Sequence, residues 1–157
     1  MLAYAYTSLK GIVTEKCFPY TSGTTKETGP CLIANRNCVD PSEPYAKYTT
    51  KALSIKSLTD VSQIKNEIYT NGPITAAMLV YDDFMTYKSG IYIRQSKNLL
   101  GGHAIKGIGW GIDKASGHHF WIMANSWSAN WGENGFFRIK MGECQIDSMA
   151  YSAEANI

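Results

Sequence analysis

A histidine and an asparagine 22 residues apart, each beside an apolar run, are the residues of this chain best suited to chemistry. The histidine is His103, in Leu100-Gly101-Gly102-His103-Ala104. Two glycines ahead of it let another chain approach the backbone closely. An imidazole placed there can take up and return a proton near neutral pH. The asparagine is Asn125, in Ala124-Asn125-Ser126-Trp127. Its side-chain carbonyl can accept from one ring nitrogen and so hold one tautomer. Trp127, two residues on, can cover that bond and keep water out. A third segment, Trp131-Gly132-Glu133-Asn134-Gly135-Phe136-Phe137, alternates rings with glycines and reads as a tight structural turn. Taken singly, the first two segments also have plain structural explanations. A lone strand histidine is more often a packing residue, and a strand-end asparagine often caps a turn.

The elements that must position these residues follow from periodicity. The stretch to about Val13 has the spacing of a helix end (Leu2, Tyr6, Leu9) stopped by Gly11. Asp60 to Asn71 is the clearest helix. Val61, Ile64 and Ile68 form one stripe, and Thr59 or Asp60 can cap it. Asn71-Gly72-Pro73 ends it, because proline cannot extend a helix. Tyr45 to Leu58 alternates loosely, as a strand would. Beyond Pro73 the apolar runs Ile74 to Val80, His103 to Trp110, Phe120 to Ala124 and Phe136 to Ile139 predict strands separated by turns. One main helix before several short strands predicts an α+β fold with an antiparallel, barrel-like sheet, and residues 1–157 read as one domain.

Composition excludes several function classes. The chain has 157 residues, 45% hydrophobic and 18% charged, with a net charge of +2 and no basic cluster. Neither nucleic acid nor an anionic membrane is an implied partner, and no apolar run is long enough to span a bilayer. The first residues lack the basic start and apolar core of a signal peptide, which says little of where the protein goes. Four cysteines are present: Cys17, Cys31, Cys38 and Cys144. The first three frame a loop from Pro19 to Pro44 rich in turn residues, a length that usually needs a covalent staple. With no Cys-x-x-Cys pair and no histidine nearby, a disulfide is favoured over a metal, and an oxidising compartment with it. Cys144 reads as a small buried thiol.

Taken together, these motifs resemble a family. Gly101-Gly102-His103-Ala104, then Asn125-Ser126-Trp127, then Trp131-Gly132 and Gly135 resemble the C-terminal, right-hand half of papain-like cysteine peptidases. Cys17-Phe18-Pro19-Tyr20, Asn71-Gly72-Pro73, Tyr81-Asp82-Asp83-Phe84 and Tyr87-Lys88-Ser89-Gly90-Ile91-Tyr92 are similar to the cathepsin B branch. The resemblance implies the papain-like fold and a cysteine-type endopeptidase working by a Cys–His–Asn arrangement. His103 is then the partner of the nucleophile, Asn125 its orienting group, and Trp127 the shield of their bond. Gly102 lends its main chain to the substrate cleft. Ala77 and Ala104 wall the second substrate pocket, and Met149 forms its floor; the alternative is a core Met149, with Asp147 or Glu154 reaching the pocket. The implied disulfide is Cys17–Cys38, with Cys17–Cys31 as the alternative and Cys144 free. No cofactor or metal is implied. Substrates are peptides and proteins, a propeptide or protein inhibitors are further partners, and the compartment is lysosome- or vacuole-like, or the outside of the cell.

One family feature is not found. The nucleophile belongs in a Cys-Gly-[Ser/Ala]-Cys-[Trp/Tyr] string roughly 130–150 residues before the histidine, whereas His103 has 102 residues before it. None of the four cysteines has that setting. The chain is therefore expected to supply His103 and Asn125 without the nucleophilic cysteine, to need the missing N-terminal half, and to be inactive alone. The alternative is a non-catalytic homologue that binds peptides or proteins. The histidine pair of cathepsin B exopeptidases is expected between Tyr20 and Cys38 and is absent there. His118 and His119 are adjacent but fall in a later turn.

Overall fold

A computed structural model describes residues 2–29 and 36–156, which fall into two compact units: Met1–Ile55 with Ala153–Ile157, and Lys56–Ser152. In the first unit, helix α1 (Leu2–Lys10) ends where Gly11 turns left-handed at φ +73°. A single helical turn, α2 (Ser22–Thr25), lies inside the segment expected to be plain loop. Strands β1 (Thr49–Thr50) and β9 (Ala155–Asn156) pair antiparallel. Cys17 and Cys38 form a disulfide. Closing a loop of that length stabilises the fold by about 3 kcal/mol on chain-entropy grounds. Cys31 lies outside the described residues.

The second unit holds the sheet. Its helix α3 (Val61–Asn71) starts where Asp60 Oδ1 accepts from the backbone N–H groups of Ser62 and Gln63 at 2.9 and 3.0 Å. Those two bonds satisfy donors that the first turn leaves free. Gly72 ends α3, and β3 (Ile74–Tyr81) begins at once. Strand β5 (Leu99–Ile112) is longer at both ends than the apolar run predicts. β6 (His119–Ala124) and β7 (Phe136–Lys140) complete the antiparallel meander. Three shorter strands sit around it: β2 (Lys56–Leu58), β4 (Ile91–Tyr92) and β8 (Ala150–Ser152). Tyr45 to Leu58 thus contains two short strands, β1 and β2, and no continuous one.

Among the described residues the strand order is β2-β8-β3-β5-β6-β7-β4. Every pair is antiparallel except β4–β7, which is parallel. One parallel pair thus edges a sheet that is otherwise antiparallel, as expected. β4 leaves the turn after β3 and is brought beside β7 running the same way. Alternation sorts the faces. Ile74, Ala76, Met78 and Val80 of β3, Trp121 and Met123 of β6, and Phe137 and Ile139 of β7 are buried. Ile64 and Ile68 of α3 join this core.

One charged group belongs to it too. Glu67 is 5% exposed and accepts from Lys56 Nζ at 3.0 Å and from Ser152 Oγ at 2.9 Å. Those donors compensate the desolvation of its carboxylate.

Candidate active site

Strands β5 and β6 are antiparallel neighbours with Lys106 opposite Ala124. This register brings the entry of β5 beside the residues that follow β6. His103 Nε2 lies 2.8 Å from Asn125 Oδ1. The same oxygen accepts from the Ser126 backbone N–H at 2.8 Å. The Ser126 N–H can only donate, so the amide atom it meets is the oxygen. Nε2 is then the donor of this bond, and in the neutral ring the lone pair falls on Nδ1. The cost of this arrangement falls on the other end of the amide, where Asn125 Nδ2 is buried and finds no partner among the described residues.

Trp127 covers the pair. Its ring stacks over the imidazole at 5.1 Å between centroids and 27° between planes. Trp127 in turn rests edge-on against Trp131 at 4.9 Å and Phe84 at 5.6 Å. Phe84, fully buried, also meets Tyr92, Trp131 and Phe137 at 4.9–5.0 Å. Edge-to-face geometry of this kind adds to the burial of each ring. Trp131 reaches that cluster from a turn that only glycine allows. A Cβ on Gly132, at φ +60°, would lie 2.6 Å from the Phe136 carbonyl oxygen. Sequence reasoning assigned no role to Phe84. The hint was an aromatic residue after two aspartates in a stretch without periodicity.

The other predicted residues lie on a different face of the sheet. His103 pairs with buried Met78, whereas Gly102 pairs with Leu79 and Ala104 with Ala77, so the side chains alternate. A Cβ built on Gly102 would meet nothing within 4 Å. No packing within the unit therefore requires glycine there. The Ala77 N–H donates to the Met149 carbonyl at 2.8 Å, which lines up Ala104, Ala77 and Met149 across three adjacent chain segments. Met149 is 41% exposed and is not a core residue. The acidic residues on either side of it in sequence have partners of their own. Asp147 accepts from Trp121 Nε1 and from the Gly142 N–H, and Glu154 pairs with Lys51. His118 lies in the hairpin between β5 and β6, where the Asp113 N–H donates to its carbonyl, whereas His119 is the first residue of β6 and not part of the turn. Cys144 is a buried free thiol whose pKa is pushed up to about 11, chiefly by burial. No cluster of potential metal ligands occurs among the described residues.

The geometry is that of a ring-covered imidazole held by an amide oxygen, and comparison with known proteins supplies the family. Residues 1–154 match the family model described as papain family cysteine protease. The chain belongs to the papain family of cysteine proteases. Among papain-family relatives, a gut-specific cysteine proteinase of Caenorhabditis elegans is 41% identical, covering 94% of this chain and 49% of its own length. Cathepsin B-like protease 1 of Arabidopsis thaliana is 37% identical, with 94% and 41% covered. The fold matches proCathepsin B S9 from Trypanosoma congolense with a TM-score of 0.86 and 32% identity, over 99% of this chain and 52% of that one. The expected papain-like α+β fold and the cathepsin B-like likeness both hold. The chain spans about half the length of these papain-family relatives.

Proposed function

We propose that this chain is the histidine- and asparagine-bearing C-terminal part of a cysteine-type endopeptidase. The observation that carries the reading is the 2.8 Å bond between His103 Nε2 and Asn125 Oδ1 beneath the Trp127 ring. A ring held as the Nε2–H tautomer offers Nδ1 to a thiol. It can take the thiol proton, form an ion pair with the thiolate, and return the proton to the leaving amine. Trp127 keeps water from the orienting bond, and Gly102 presents open backbone beside the imidazole.

The nucleophile is supplied from outside these 157 residues. Cys17 and Cys38 are joined to each other, and a thiol shifted to about 11, as Cys144 is, stays almost wholly protonated at neutral pH. The sequence around Cys31, Gly-Pro-Cys-Leu, is not a nucleophile setting. The purified chain is expected to give no E-64-sensitive hydrolysis of fluorogenic peptides. Mass spectrometry of the native protein should find a Gly-Ser-Cys-Trp peptide accompanying it. Turnover by the chain alone would overturn this reading. A native protein active without such a peptide would do the same.

Substrates are peptides and proteins, and a propeptide or protein inhibitor covers the same surface. The setting is a lysosome- or vacuole-like compartment, or secretion, where the Cys17–Cys38 bridge persists. Ala77, Ala104 and Met149 form the second substrate pocket. Asp147 and Glu154 have partners of their own, Met149 brings no charge to pair with a cation, and its thioether favours Leu, Val or Phe there. In the assembled enzyme, Met149→Glu is expected to raise turnover of Arg substrates relative to Phe substrates by about tenfold. Equal use of matched Arg and Phe substrates by the unaltered enzyme would contradict the pocket assignment.

A further inference from the structure

The turn that follows Asn125 is held from below by one carboxylate. Glu133 Oε1 accepts from Arg138 Nη2 at 2.6 Å and from the Gly90 N–H at 2.9 Å, and Oε2 accepts from Arg138 Nε at 3.0 Å. Three donors from two separate segments, β7 and the turn before β4, therefore converge on Glu133. Tyr87 braces the same junction, donating to the Gly90 carbonyl at 2.6 Å and accepting from the Arg138 N–H at 3.3 Å. A bidentate guanidinium–carboxylate pair fixes direction as well as distance.

The turn fastened in this way makes two contacts toward the site. The Asn125 N–H donates to the Gly135 carbonyl at 2.9 Å, so the main chain of Asn125 is tied to the turn directly. Trp131, two residues before Glu133, carries the ring against which Trp127 leans over His103. The turn itself is closed by the Glu133 N–H to the Phe136 carbonyl at 2.9 Å and the Gly135 N–H to the Trp131 carbonyl at 2.8 Å. Movement of Glu133 would thus shift both the group that orients the imidazole and the ring that covers it.

We propose that Glu133 is a positioning residue for the His103–Asn125 pair, acting through the turn of residues 131–135. It touches neither the imidazole nor a substrate. The proposal rests on the roles given above to His103 and Asn125, and its test needs no turnover. Arg138, the first of its donors, holds the Glu133 carboxyl below the usual carboxylate range, so the clamp stays charged in mildly acidic solution.

The test is nitrogen NMR of the His103 imidazole in the 157-residue chain, which reports the tautomer directly. Glu133→Ala is expected to lower the Nε2–H fraction at least twofold, with the remaining amide spectrum that of a folded protein. Glu133→Gln, which keeps an oxygen for the Gly90 N–H but loses the ion pair, should fall between the two. It also carries the test if the alanine variant fails to fold. Lys56→Ala, which removes the other partly buried ion pair, is the control and should leave the tautomer unchanged. A folded Glu133 variant with an unaltered imidazole would refute the proposal, as would an equal loss in the control. If the tautomer responds as expected while the assembled enzyme proves inactive, the peptidase reading fails and the positioning role stands.

Discussion

In the assembled peptidase, His103→Ala is expected to lower kcat/KM by about three orders of magnitude or more. On the function proposed above, the substitution removes the proton acceptor for the thiol and the proton donor for the leaving amine, and each is worth about 10²–10⁴ in rate. Asn125→Ala should lose less, about one to two orders. The imidazole survives, and only the bond that selects its tautomer is gone. The loss should appear in kcat with KM nearly unchanged, because the Asn125 oxygen is spent on the ring and the Ser126 N–H. Steady-state kinetics on matched preparations decides the matter. Equal losses for the two variants would mean that Asn125 does more than orient the ring, and a mild loss for His103→Ala would remove it from the chemistry.

Phe84→Ala is expected to destabilise the sheet unit by about 4 kcal/mol, the middle of the range for truncating a fully buried aromatic ring. Phe84 has no exposed surface and meets five other rings, those of Tyr87, Tyr92, Trp127, Trp131 and Phe137, at 4.9–6.2 Å. Removing it opens a cavity beneath Trp127 and Trp131 that these large side chains can fill only by leaving their present contacts. Urea denaturation followed by tryptophan fluorescence measures the change. A loss below about 2 kcal/mol would mean that the ring cluster is a loose surface assembly.

Much of this arrangement was legible from residue order. The cap at Asp60 and the stop at Gly72 bracket α3 where the stripe of Val61, Ile64 and Ile68 predicts it. The apolar runs likewise announce β3, β6 and β7, but not which face each buries, because neighbouring residues within these runs are mostly alike in polarity. Strands β4 and β8 escaped because two or three residues contain no period, and their pairing is decided by neighbours distant in sequence. The 14 residues of β5 outran the predicted run because Gly101, Gly102 and Gly111 interrupt its apolar pattern near the two ends. At the site, His103 and Asn125 could be paired from motif order, while their contact through the β5–β6 register could not. The segment from Trp131 to Phe137 was legible as a turn, yet nothing local in Glu133 announces that Gly90, 43 residues earlier, donates to it.

The place of β8 has a consequence for biosynthesis. Strand β2 has one strand partner among the described residues, and that partner is β8, which also pairs with β3 on its other side. Leu58 leaves the ribosome long before Ala150, the residue it faces. At translation rates of about 5–20 residues per second, β2 waits roughly 5–20 s for its ladder. During that interval its backbone edge is open to pairing with other nascent chains. Lys56 guards it in two ways, by placing a charge on the strand and by bonding to Glu67 of the helix made directly afterward. When β8 arrives, the Ser152 hydroxyl completes the same carboxylate at 2.9 Å. Glu67 thus serves first as a local holdfast for an unfinished edge, and later as the buried anchor of the finished one.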